Sequence, residues 1–386
     1  MKIAMMVRGY ISAPGPSDIV YAPIDLAIEI SNGLIKLGHQ VDFYGPAGTR
    51  LEANVHTRGI RALVHNQKEF QNLLSSIDLL THYVPGLWDQ YLSSEMFKRA
   101  KKGEYDLLHF HHPEAAMPYA SLFPKVPVLY TLHDPIEGWW HELFQMYQSP
   151  NQFYVSISNN QRKPANELPF VGTVYNGINV DQFPFSPEHD DYLLFVGRIV
   201  PEKGVHIAIE VAKKTNHKLL IIGPIYTDSK DYFDQKVKPH LSEQIQYLGF
   251  IDHKKVVKYF AGAKAFLMPI QWEEPFGLTM IEAMACGTPV IAFARGSIPE
   301  VVVHAKTGFV VKSKQEMINA ISMIDKLDRH NCRIRVEENF SIETMTKGYE
   351  AVYKNIIKIT KRENFASGRI IAHYRHFDRS KIKKWL

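Results

Sequence analysis

The stretch YLLFVGRIVPEKG (residues 192–204) decides the architecture. Its first six residues are apolar or aromatic and end at a glycine, which reads as a short buried strand. A helix is expected over 203–214, immediately after the turn. KLLII (218–222), IQYLGF (245–250), AKAFLMPI (263–270) and PVIAFA (289–294) follow as further strands with helical segments between them. An earlier series has the same order. KIAMMV (2–7) is a strand, and residues 24–37 carry apolar positions at helical spacing up to Gly38, a suitable cap. HQVDFYG, DLLHFHH, VPVLYTLHD and FYVSIS are the strands that come next. Alternating strands and helices imply parallel sheets covered on both faces. The polar, proline-bearing segment 179–191 (NVDQFPFSPEHDD) separates the two series as a linker. The expected fold is therefore α/β, with two doubly wound domains over residues 1–180 and 181–345. Their ligand belongs beyond the carboxyl ends of the strands, in the cleft between them.

Length and composition agree with this reading. A chain of 386 residues exceeds what one hydrophobic core usually serves, and 45% apolar with 22% charged residues is ordinary for a globular protein. Cys286 and Cys332 are too few for a disulfide framework. The N-terminus, MKIAMMVRGY, is interrupted by Arg8 and lacks the features of a signal peptide. No stretch approaches the ~20 apolar residues of a membrane span. A cytoplasmic protein is expected. Residues 361–386 hold eight Lys or Arg against two acids, so the net charge of +5 belongs to a tail, not to a nucleic-acid-binding body.

Several α/β chemistries are excluded by motif. No two glycines are separated by a single residue, so the dinucleotide-binding fingerprint is absent. The P-loop and the nucleophile elbow are absent too. What remains is a set of charged residues at strand ends in the second series. Gly197 and Arg198 follow the strand, and Lys203 stands five residues beyond Arg198. Arginine offers a planar fork and lysine a mobile point charge, a pairing suited to a diphosphate; two solvated cations on exposed strand ends would give the same pattern. EEPFGLTMIEAMACGTPV (273–290) supplies the second element. Pro275 fixes a turn, and the free N–H groups around Phe276, Gly277 and Leu278 at a helix start make an anion site. Glu274 precedes that site and Glu282 follows it, about 7–8 Å further along the helix. Glu282 sits among Leu278, Met280, Ile281, Ala283 and Ala285, where an unpartnered carboxylate is costly. The arrangement suits a nucleotide sugar, with Glu274 at sugar hydroxyls and Glu282 at ribose hydroxyls. A buried structural ion pair would also explain Glu282, and a solvated loop acid Glu274.

VGRIVPEKG, the Glu-x7-Glu stretch, GSIPEVV and TGFVV together resemble the retaining glycosyltransferases of family 4, with the GT-B fold of two facing Rossmann-like domains. YTLHDP, VSISNNQR and TVYNGI resemble other stretches of that family, and the likeness runs from residue 1 to about 360. It implies transfer of a hexosyl group from a UDP-, GDP- or ADP-activated sugar to a hydroxyl acceptor, with retention and no metal or other cofactor. By the same resemblance, Arg198 and Lys203 match the phosphate-binding pair, Glu274 the sugar contact and Glu282 the ribose contact. Phe276, Gly277 and Leu278 match backbone donors, and His133 in TLHD matches a histidine near donor sugar and acceptor. Many members carry a Gly-Gly loop after the first strand, whereas here Tyr21-Ala22-Pro23 stands at the second expected glycine pair. Residues 341–360 resemble the family's closing helix, so 346–386 is expected to be a crossover helix with the basic tail.

His109, His111 and His112 resemble a metal-binding run, yet no cysteine or carboxylate stands at a ligand spacing; packing or an acceptor-cleft role is the reading preferred. The tail intersperses Phe365, Ile370, Ile371, Tyr374, Phe377, Ile382, Trp385 and Leu386 with its basic residues. It reads equally as a segment lying on an anionic membrane, which would suit a lipid-linked or envelope-glycan acceptor, and as a packed helix with a solvated face. A nucleotide-sugar 2-epimerase and an inactive binding protein of the same architecture are the rival functions. The Arg/Lys pair and both glutamates favour transfer.

Overall fold

The computed structural model describes residues 1–19, 21–75 and 79–366. The first half contains strands β1 (Lys2–Met6), β2 (Gln40–Tyr44), β3 (Asn54–His56), β4 (Leu107–Phe110), β5 (Val128–Leu132), β6 (Gln152–Ser156) and β7 (Phe170–Thr173). The second contains β8 (Tyr192–Val196), β9 (Lys218–Ile222), β10 (Ile245–Tyr247), β11 (Ala265–Met268), β12 (Val290–Phe293) and β13 (Gly308–Val311). The helices that matter below are α1 (Ala22–Lys36), α2 (Leu79–Lys101), α3 (Val205–Thr215), α4 (His253–Gly262), α5 (Leu278–Ala285), α6 (Ile298–Val301) and α7 (Ile342–Ala366).

Every strand pair is parallel. The sheet orders are β3-β2-β1-β4-β5-β6-β7 and β10-β9-β8-β11-β12-β13. Counted from its own first strand, each sheet opens 3-2-1-4-5-6, the doubly wound order in which the winding direction reverses between strands 1 and 4. Both faces of both sheets are covered. Ile3 and Met5 pack with α1, while Ala4 and Met6 pack with Leu92, Met96 and Phe97 of α2. In the second half Leu193 and Phe195 pack with α3, and Leu194 packs with α4 and α5. Continuous apolar runs such as LLII at 219–222, after the exposed Lys218, follow from this burial on two sides.

α7 leaves the second half and completes the first. Its Tyr349, Tyr353 and Ile356 are buried in the same cluster as Ile3, Met5 and Leu34. Gly33 permits the contact with α1, because a Cβ there would come within 2.2 Å of Thr346 Oγ1. The halves also meet at Glu300 of α6, which accepts from the backbone N–H of Asn159 (2.8 Å) and Asn160 (2.7 Å) and from the Tyr175 hydroxyl (2.9 Å). β3, β7, β13 and α2 were not read from the sequence. IQYLGF is strand only over Ile245–Tyr247. The basic tail lies outside the described residues beyond position 366. No helix among the described residues is long and apolar enough to cross a membrane.

Candidate active site

The reversal of winding leaves a crevice beyond the carboxyl ends of β8 and β11, and the charged motifs converge there. Gly197 and Arg198 follow β8, with Arg198 exposed. A short 3-10 turn, Pro201–Lys203, brings Lys203 over the loop that follows β11. Lys203 Nζ lies 2.6 Å from Glu274 Oε2 and 5.1 Å from the Trp272 ring centre, and Trp272 Nε1 donates to the same Glu274 oxygen at 3.1 Å. Lys203 is thus half-buried and paired with a buried carboxylate, not a solvated cation on a strand end. Trp272 was not singled out in the sequence, although it stands two residues from Glu274.

Gly277 takes φ +81° and opens α5, a conformation that a side chain would strain. No side chain caps the helix start, so its first N–H groups are available to an anion. Phe276 is buried and its carbonyl accepts from Ser297 Oγ at 2.7 Å, which fixes the turn. Leu278 packs against apolar clusters of both halves. Glu282, 7% exposed, finds its partner in His253: Nε2 of the ring donates to Oε1 at 3.0 Å. His253 opens α4, whose cap is Asp252. Asp25, exposed in the first turn of α1, faces both His253 and Glu282 from the first half, and its carboxyl is raised above the usual range, chiefly by the water it loses to the protein crowding the cleft. Neither His253 nor Asp25 belongs to a motif; only the sheet orders bring them to Glu282.

The first half presents its own crevice, between β1 and β4. His133 follows β5, and its Nε2 lies 2.9 Å from Nδ1 of His111, with the rings stacked at 5.1 Å. Burial brings the His133 pKa down to about 3 and that of His111 well below its ordinary value, so both rings are neutral near pH 7. His109 lies on the same face and is held by Thr131 Oγ1 and the Tyr353 hydroxyl, each at 2.8 Å. His112 points the other way, to the Tyr21 hydroxyl and to Glu114. The histidine run is therefore split between two networks. Arg8, which follows β1 as Arg198 follows β8, pairs with Asp89 at 2.9 Å and Glu114 at 2.7 Å. Tyr21, in the Tyr21-Ala22-Pro23 stretch where Ala22 stands for an expected glycine, accepts a hydrogen bond from Arg8 Nε at 3.2 Å. The sequence drew attention to neither Asp89 nor Glu114, because α2 and the turn after β4 carry no motif.

Two family models match the chain: "Glycosyltransferase Family 4" over residues 26–182 and "Glycosyl transferases group 1" over 179–336. A relative described as an uncharacterized glycosyltransferase of Methanocaldococcus jannaschii is 24% identical and aligns with 94% of this chain and 100% of its own. The N-acetyl-alpha-D-glucosaminyl L-malate synthase of Bacillus anthracis is also 24% identical, over 71% of this chain and 81% of its own. Among solved structures, an Anabaena protein in complex with UDP and glucose superposes with a TM-score of 0.66 at 18% identity, covering 92% of this chain and 100% of that one. With the two facing parallel sheets, these matches establish that the chain is a GT-B glycosyltransferase of the family 4 type.

Proposed function

We propose that this glycosyltransferase takes a hexosyl group from a nucleoside diphosphate sugar, transfers it to a hydroxyl acceptor, and retains the anomeric configuration. The observation that carries the reading is the convergence, at the second reversal point, of Arg198, the uncapped start of α5, the Lys203–Glu274 pair and Glu282. Cations and oriented N–H groups supply what a departing diphosphate requires, which is stabilisation of the charge that develops as the glycosidic bond breaks. The scheme assigns that task to Arg198, Lys203 and the α5 start and asks for no metal ion. Both hydrogen bonds to Glu274 fall on Oε2, so Oε1 is left for a sugar hydroxyl. His133, neutral and anchored by His111, acts in this scheme as a hydrogen-bonding group beside donor and acceptor, not as a charged acid. Retention follows if the acceptor attacks from the face that the leaving phosphate vacates, with a phosphate oxygen taking its proton. The Anabaena neighbour solved with UDP and glucose supports a donor of this class.

The test is incubation with UDP-, GDP- and ADP-sugars, following nucleoside diphosphate release and the anomeric configuration of the product by NMR. Release with retention is expected for at least one donor. Epimerised donor without transfer, or no turnover and no binding across the panel, would overturn the proposal.

A further inference from the structure

Glu282 is held by one oxygen only, and its holder is a residue outside every motif. The His253 ring, 61% exposed, stands edge-on to Phe183 with centroids 5.9 Å apart. Three carboxylates face the ring: Glu282 from α5, Asp25 from α1 across the cleft, and Asp252 from the residue before it. The hydrogen bond to Glu282, then the charges of Glu282, Asp25 and Asp252, raise the ring's pKa above its ordinary value, and with the ring 61% exposed the short bond to Glu282 counts for most while solvent screens the other two charges. Asp25 feels the converse, with His253 favouring its ionised form and Glu282 opposing it.

We propose that His253 is a positioning residue for the donor ribose: it holds Glu282 through Oε1 so that Oε2 meets the ribose hydroxyls, and its charge lets Asp25 of the first half approach Glu282 of the second. The inference rests on the reading that a nucleotide sugar occupies this crevice. With the ring charged, the two carboxylates share a cation. With the ring neutral, the hydrogen bond to Glu282 survives, but Asp25 and Glu282 face each other as bare like charges. A donor that spans the crevice holds Asp25 beside the ring, so the histidinium is favoured more in the bound protein than in the free one. Affinity for the donor is therefore greatest at low pH and lost as pH rises through the bound-state pKa. Each unit of difference between the two pKa values is worth about tenfold in affinity.

Intact nucleotide sugars make the test clean, because neither of their phosphates titrates between pH 5.5 and 8.5. Binding of UDP-glucose, GDP-mannose and ADP-glucose to the full-length protein is measured by calorimetry across that range. The best ligand is then repeated with His253→Gln, Asp25→Asn and the 2′- and 3′-deoxyribose forms of the donor. Wild-type Kd is expected to rise about 3–10-fold from pH 6 to 8.5. His253→Gln keeps a donor for Glu282 without the charge and should show a flat profile, and Asp25→Asn should shallow the wild-type slope. The deoxyribose donors should bind more weakly throughout. A pH-independent wild-type Kd, or a His253→Gln variant that keeps the wild-type slope, overturns the role given to His253 while leaving the donor reading intact. Failure of every nucleotide sugar to bind the wild type at any pH overturns the donor reading and this inference with it.

Discussion

Replacing Lys203 with Met should destabilise the protein more than replacing Glu274 with Gln, and the double variant should recover about half of that loss. Glu274 is 7% exposed, and its Oε2 receives Lys203 Nζ at 2.6 Å and Trp272 Nε1 at 3.1 Å. Without the lysine, a buried carboxylate keeps one neutral donor. Breaking a buried pair in this sense costs about 3–5 kcal/mol when both charges are dry. The Lys203 side chain is 18% exposed, so water reaches the pair and about 2–3 kcal/mol is expected. Glu274→Gln leaves the opposite residue free to swing outward on a flexible stem, still over the Trp272 ring 5.1 Å away, and should cost about 1 kcal/mol. The neutral double variant, Lys203→Met with Glu274→Gln, should cost about 1–1.5 kcal/mol, giving a coupling of about 2 kcal/mol. Urea unfolding of the four proteins measures this directly, with the midpoint shifts read at constant slope. Single costs that sum to the double within ~0.5 kcal/mol would refute the pairing and return Lys203 to the solvated cation of the sequence reading.

Arg198, exposed and without a stabilising task in the fold, offers the cleaner catalytic probe: Arg198→Ala should lower kcat by about 10²–10³ with an unchanged unfolding midpoint, and wild-type turnover would remove it from the site. Glu282→Gln should weaken nucleoside diphosphate binding by about 1.5–3 kcal/mol, whereas Glu274→Gln should impair sugar transfer and spare that affinity; calorimetry showing the reverse would exchange their roles. Full-length protein should sediment with anionic liposomes at low salt, and deletion of residues 361–386 should abolish this while donor hydrolysis continues; equal partitioning of both forms would leave the tail without a membrane role.

What could be read from the sequence followed from punctuation and burial. YLLFVG and the LLII of residues 219–222 are apolar or aromatic throughout because sheets covered on two faces ask for nothing else, and Gly38 and Gly277 mark the helix boundaries they were expected to mark. β3 and β13 were missed because three or four residues at a sheet edge carry too little pattern, and β7 because Gly172 interrupts it. α2 contains Pro85 and Gly86, which argue locally against the helix that packing sustains. In the site, the motif residues declared themselves one stretch at a time, but their partners did not. His253, Asp25, Asp89 and Glu114 are contributed by distant elements, and no local rule pairs them with Glu282 or Arg8. Strand order creates those neighbourhoods, and strand order is not written in any window of the chain.

The return of α7 to the first half has a consequence during synthesis. Tyr349, Tyr353 and Ile356 fill a cluster whose first-half members begin at Ile3, and even the last of these, Val174, emerges from the ribosome about 175 residues earlier. At ~5–20 residues per second the nascent first half waits roughly 10–40 s with the underside of its sheet uncovered. The second half can close its own two faces in that interval; the first cannot. The last described helix to be made is therefore the one that seals the first half, and a truncation before residue 342 would leave a finished second half attached to a first half with an open core.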